Sequence, residues 1–599
     1  MNTSTGPFIR KYYGITLTFL VASIISLWAP MAHCQEQEPE SLPSQVRRIF
    51  KEHCHRCHNG PGSSSGYGFD VLQHDSLLAK TEEKLVVPYS LKESPLWDAI
   101  QKRMPVPLSA ERHDFGDAQR AVIKKWIEAG APAYSSVSVR PFVSLHQMIL
   151  AIRDDLSRKE MTKPEQLNTR YFSLVHIHNN NQFDEEDLRY QRAALSKVLN
   201  SLSWMETIVV PRSVPVGKVQ GILYAVDIRA LGWNLNLERP WKNVETLYPY
   251  GLKYRDINQE MAAADAQIDA LSGSHQAWVR SDWFVVTATL PSLYHTLLDL
   301  PKSASALEQR LEVNANDNIS NGKVVRAGFP KSGVSGQNRV VERHVTKQGS
   351  YWKSYDFRQD NARANIARFP LGPLYRGHPF PELAFRHDGG ELIFNLPNGL
   401  QAYLLVDAND NRIDTGPVDV VSDDKKVSGT PLIVNGVSCM ACHRHGMIPV
   451  EDTLRDSNAL FGKARETVTL LHPSQKAIEK HVEEDKARFL KSLDATMGTL
   501  IRAQANQKTP VTEFREPVTE VVTRYRRHLD INDVVSELYL ENLGSLNNEI
   551  GKEKCRELTF ESLIERKGVL PRYQWDATDS GGSLMQKAAA SYFYIPVVR

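Results

Sequence analysis

Residues 54–58 read Cys-His-Arg-Cys-His, and residues 439–443 read Cys-Met-Ala-Cys-His. In each string two thiols stand one helical turn apart and an imidazole follows at once. That spacing suits one chemistry: two cysteines add across the two vinyl groups of haem, and the next residue's ring reaches the iron from below. The strings predict two covalently attached haem c groups, one at Cys54 and Cys57, the other at Cys439 and Cys442. His58 and His443 are the expected axial ligands. Paired Cys-x-x-Cys sites of a zinc ribbon lie ~15–20 residues apart, whereas Cys54 and Cys439 are 385 positions apart. A thioredoxin-like redox pair needs no histidine after each cysteine pair.

Outward from the first string the chain reads as a small helical domain. Val46, Ile49 and Phe50 follow i, i+3, i+4 spacing just before Cys54, with Pro43 near the helix start. A Gly/Ser-rich loop follows, Gly60 to Gly66. Ser94-Pro95 opens a helix carrying Leu96, Trp97 and Ile100 on one face. Met104-Pro105-Val106-Pro107 is a loop that cannot be helical. Asp117 can cap a last helix whose stripe is Val122, Ile123, Trp126 and Ile127, stopped by Gly130 and Pro132. This order resembles a class I cytochrome c. The stretches Ser94-Pro95-Leu96-Trp97, Arg103-Met104-Pro105 and Trp126-Ile127-x-x-Gly130-Ala131-Pro132 resemble the planctomycete-type cytochrome c domain, over residues 42–134. The resemblance implies Met104 as distal ligand of the first haem. A thioether is a soft, neutral ligand that favours ferrous iron and raises the potential. Trp97 and Trp126 are expected as packing.

Residues 140–385 carry no decisive motif. Helices are expected at Leu195–Leu202 and Gln259–Leu271, and the aromatics Trp204, Trp233, Trp241, Tyr248, Tyr250, Trp278 and Trp283 as core. His176-Ile177-His178 alternates as a strand would, with both rings on one face. Further on, Pro397-Asn398-Gly399 between two apolar runs is a hairpin signal. Asp407-Ala408-Asn409-Asp410-Asn411 has calcium-loop-like oxygens but lacks that loop's glycine and final glutamate, so a polar turn is expected. The block from Gly389 through Met447 resembles a family of bacterial exported cytochrome-like proteins of unassigned activity. That likeness implies haem at Cys439 and Cys442 but no substrate. Helices are expected at Ile478–Leu493 and Val518–Leu543. For the second haem's distal ligand, His445 and Met447 are too close to His443. Met497 is a candidate, and a middle-region histidine or no protein ligand stays open.

The chain has 599 residues, enough for about three or four units. Lys+Arg 72 against Asp+Glu 70 gives no basic face, so nucleic acid is not an expected partner. Arg10 and Lys11 precede a short apolar run, Ile15 to Trp28, then small residues, as in a secretory signal peptide cleaved near Cys34. An uncleaved anchor is the alternative. With Cys34 removed, Cys555 has no partner, so the chain is not a disulfide scaffold. The expected architecture is multidomain, mainly α with β. A signal peptide (1–34) precedes a class I cytochrome c-like helical domain (42–134). A mixed α/β middle domain of unknown role (140–385) follows, then a β-hairpin plus helical second haem domain (386–599). The expected function is periplasmic electron transfer between redox partner proteins, with no membrane span in the mature protein. The alternatives are a di-haem oxidoreductase such as a peroxidase, and a haem-based sensor or docking protein.

Overall fold

The computed structural model describes residues 41–598, apart from 56, 59–68, 79–83, 103, 105–114, 135–139, 237–238, 257, 333, 361, 424–425, 457–460, 559, 561–562, 564–567 and 593, and apart from the side chains at 505, 547 and 552. The expected signal peptide, the Gly60–Gly66 loop and the prolines after Met104 lie outside the described residues.

The N-terminal unit forms as its periodicity dictates. Ser41 accepts from the Ser44 amide to cap the helix Leu42–His53, and Val46, Ile49 and Phe50 are its buried face. That face packs on the helix Asp117–Glu128, through Ile123, Trp126 and Ile127. Phe50 meets Trp126 edge-on at 5.9 Å. Ile100, from the helix Pro95–Lys102, joins the same cluster. Trp126 is wholly buried and its Nε1 donates to Pro132 O at 2.8 Å, so it is packing, as expected. The N-cap is Gly116 rather than Asp117, which takes the first helical position, where its charge still complements the helix dipole. Val46 to Ala131 make a core of their own, separate from that of the rest of the chain.

The remainder is mixed α/β around one large apolar core reaching from Val143 to Tyr594. A four-stranded sheet orders Arg212–Ser213, Leu223–Asp227, Thr169–Ser173 and Trp278–Arg280, with only the last pair parallel. A six-stranded antiparallel meander runs Val325–Phe329, Arg339–Thr346, Gly349–Asp356, Gly389–Asn395, Gln401–Asp407 and Arg412–Ile413. The hairpin at Pro397-Asn398-Gly399 is present: Asn395 pairs with Gln401, and Gly399 takes the positive φ of +84°. The expected division at 385/386 falls inside this sheet, since Gly349–Asp356 pairs directly with Gly389–Asn395. The middle and C-terminal regions are therefore one body. The strand Tyr594–Pro596 closes it by pairing with Leu252–Tyr254.

Two local expectations are corrected. His176-Ile177-His178 is a helical turn within Val175–Asn179, not a strand. The Ser173 hydroxyl accepts from the Val175 amide and turns the chain there. The two rings take different partners: His176 Nε2 meets Asp282 at 3.0 Å, and His178 Nε2 donates to Pro141 O at 2.9 Å. The helix expected over Val518–Leu543 is broken into Pro517–Arg526 and Ile531–Glu537. Asp530 caps the second piece by accepting from the Asn532 and Asp533 amides, while Leu529 exchanges backbone hydrogen bonds with Leu570. The expected helix at Ile478–Leu493 extends to Gln475–Ile501 and packs on Glu185–Ser201. No helix among the described residues is long and apolar enough to cross a membrane.

Candidate functional site

The two strings, 385 positions apart in sequence, open onto the same cavity, of about 1320 Å³. That exceeds the ~300–1,000 Å³ of pockets for drug-sized ligands. The N-terminal unit supplies one wall, with His55, Cys57, Met104 and Phe115. The six-stranded sheet supplies another, with Trp352, Gly390, Glu391 and Ile393. Cys439, Cys442, His443 and Met447 line a third, and the helix Pro517–Arg526 completes it with Glu520 and Arg524.

The second string sits on the short helix Val437–Cys442. Gly436 enters it at φ +94°, where a Cβ would lie 2.6 Å from Thr289 O. Gly446 leaves it at φ +90°, with Phe489 and Lys486 close behind. Glycine is needed at both turns because an L side chain is strained at such φ. His443 Nδ1 donates to Gly446 O at 3.3 Å, which orients the ring and leaves Nε2 for another partner. Nε2 lies 3.8 Å from Glu391 Oε2, and Tyr403 stacks on the ring at 6.0 Å. Burial works to raise the Glu391 carboxyl, but His443 outweighs it and holds the group down at about 2. Burial, then the Glu391 charge, pushes the Cys439 thiol well up.

At the first string Cys57, His55 and Met104 face the cavity. Cys54 and His58 are not among its lining residues. The His58 ring stacks on Phe69 at 4.8 Å. Burial, and then the neighbouring Cys57, pushes the Cys54 thiol up to about 12. No disulfide joins the described cysteines. Among the described residues no three His, Cys, Asp or Glu side chains converge as a zinc site would require. A haem iron needs only its axial groups, so the lining by Cys439, Cys442 and His443 fits that cofactor at the second string, while at the first string only Cys57 and Met104 of the expected haem groups reach the cavity.

Met497 is buried in the helix Gln475–Ile501 and is not among the residues lining the cavity. The Asp407 turn is a closed polar turn, its Oδ1 accepting from the Asn409 and Asn411 amides at 2.8 and 2.9 Å.

The N-terminal unit docks by charge. Lys51 Nζ lies 2.9 Å from Asp187, 3.1 Å from Asp184 and 3.3 Å from Glu186. Arg47 adds a bond to Asp184 at 2.5 Å. Sequence reading missed Lys51, Glu391 and Arg524 as cavity residues. Its one available signal was the basic run Arg524-Tyr525-Arg526-Arg527 inside an apolar helix. Comparison with family models, with curated proteins and with solved structures finds no match for this chain.

Proposed function

We propose that this chain is an exported di-haem c-type cytochrome that passes single electrons between redox partner proteins through two haems housed in one cavity. The carrying observation is that both Cys-x-x-Cys-His strings contribute to the wall of that cavity, together with Met104. Cys54 and Cys57 would hold one haem and Cys439 and Cys442 the other. His58 with Met104, and His443, would be the axial groups. Bound haem supplies reversible one-electron chemistry at its iron. The chain's own part is to orient His443 through Gly446 O, to offer apolar wall from Trp352, Ile393 and Phe115, and to fix the charges around it.

The test is expression in a host that matures c-type cytochromes. The protein should stain for haem after denaturing electrophoresis, and its mass should exceed the processed polypeptide by two haems. A mass matching bare polypeptide overturns the reading.

A second reading, a di-haem oxidoreductase such as a peroxidase, is favoured by one observation. The described residues lining the cavity offer the second string no distal ligand of settled identity, since Met497 is not among them, so an open iron position is compatible with this lining. A high-spin ferric signal that binds cyanide, with peroxide turnover from a reduced cytochrome donor, would select it. A low-spin spectrum without turnover returns the protein to electron transfer.

A further inference from the structure

A guanidinium on the cavity wall has no carboxylate within ion-pair distance among the described residues, although Asp533, Asp187 and Asp70 act on it from farther off. Arg515 meets Glu520 at 2.8 Å, and Arg527 is paired with Asp533. Arg524, between them on the same stretch of chain, forms no ion pair among the described residues. Its Nε is shut off from solvent and has no acceptor. Its guanidinium lies 4.4 Å from the Phe183 ring centre. Its Nη1 lies 3.4 Å from His55 Nε2, but that nitrogen also faces Asp70 at 3.5 Å, so it serves Arg524 only in the tautomer that leaves it unprotonated.

Arg524 is partly buried; arginine cannot shed its proton, and a charge taken out of water is costly unless an opposite charge and hydrogen bonds meet it. Its rigid fork of donors matches a carboxylate two-prongedly. The group also lines the cavity beside the first string, where His55 and Cys57 face it. We propose that Arg524 is the seat of a carboxylate held in this cavity. The proposal rests on the haem reading for one of two sources, the cofactor's own carboxylates. The other source is a free anion entering the cavity.

The full chain is compared with Arg524→Gln and Arg524→Lys, reading both haem midpoint potentials and the melting temperature against rising inorganic phosphate at constant ionic strength. If the cofactor's carboxylate occupies the seat, Arg524→Gln lowers one midpoint potential and leaves the other. A nearby cation favours the reduced form, so its loss favours the ferric one. Arg524→Lys, which keeps charge but not the fork, shifts it less and carries the comparison alone if Arg524→Gln does not fold. Phosphate then changes no melting temperature. If a free anion occupies it, phosphate raises the melting temperature of the wild type but not of Arg524→Gln. Unmoved potentials together with no phosphate response overturn the proposal. If the protein carries no haem, the haem reading fails by itself, and the phosphate response of the wild type alone decides for or against the seat.

Discussion

Replacing Lys51 by methionine keeps the stem and removes the charge that holds the N-terminal unit on the body. The Lys51 side chain is 6% exposed, whereas those of its partners Asp184, Glu186 and Asp187 are 23–32% exposed. Breaking a fully buried pair costs ~3–5 kcal/mol. Here water partly screens the acids and Arg47 still holds Asp184, so about 2 kcal/mol is a fair magnitude. At 1.4 kcal/mol per factor of ten, the undocked population should rise ~30-fold. Limited proteolysis, under conditions where opening equilibrates before cleavage, reads that population directly. Lys51→Met should be cut ~30-fold faster than wild type in dilute salt, and Lys51→Arg at close to the wild-type rate. Added salt should speed wild-type cleavage and narrow the gap. Each unit keeps its own core, so the thermal transition of the body should change little. Cleavage of Lys51→Met at the wild-type rate, in a folded protein, would refute the view that these charges do the docking.

Three further outcomes are expected. His58→Ala should change the axial ligation of one haem seen by low-temperature electron paramagnetic resonance, while His55→Ala leaves the ligand set intact; the reverse result would assign the role to His55. Met104→Ala should abolish the methionine-to-iron absorption and lower one midpoint potential, since a soft neutral donor is lost; an unchanged spectrum and potential make Met104 packing only. Burial works to raise the Glu342 carboxyl, but Arg326 and His344 hold it at about 2 in the fold, against an ordinary value near 4.5. The unfolded chain therefore binds more protons in between, so this stability, about 3 kcal/mol, is full above pH ~4.5 and disappears as pH falls toward 2. Glu342→Gln should lower stability at pH 7 and flatten that acid limb in denaturant titrations, and an unaltered acid limb counts against it.

Much of the N-terminal unit was legible because its information is local. Val46, Ile49 and Phe50 repeat at helical spacing, Pro43 and Gly130 mark ends, and no distant partner is needed to read them. The hairpin at Asn398-Gly399 was legible for the same reason. The division at 385/386 failed because strand order depends on which strands meet, and Gly349–Asp356 meets Gly389–Asn395 across an irregular stretch of more than thirty residues. His176 and His178 alternate as a strand would, yet a serine turn and the distant Asp282 decide their conformation. The break after Arg526 came from Asp530, whose side chain prefers a helix start to a helix interior. At the candidate site the strings were plain, but their common cavity was not. Nothing within either pentapeptide records that Lys51 will find Asp184 or that Glu391 will stand beside His443.

The pairing of Tyr594–Pro596 with Leu252–Tyr254 has a bearing on time. A chain emerges from its N-terminus, and a domain with its own core can fold as soon as it is complete. The first string thus belongs to a unit that can be finished while the body is still being made. The body cannot close until Tyr594–Pro596 has appeared, so the Cys439 string, once made, waits on unfinished chain until then. Any machinery that modifies the two strings meets them in different states, one already shaped and one still loose. Deleting the strand Tyr594–Pro596 should accordingly spare the first string's surroundings and leave the second without a settled fold.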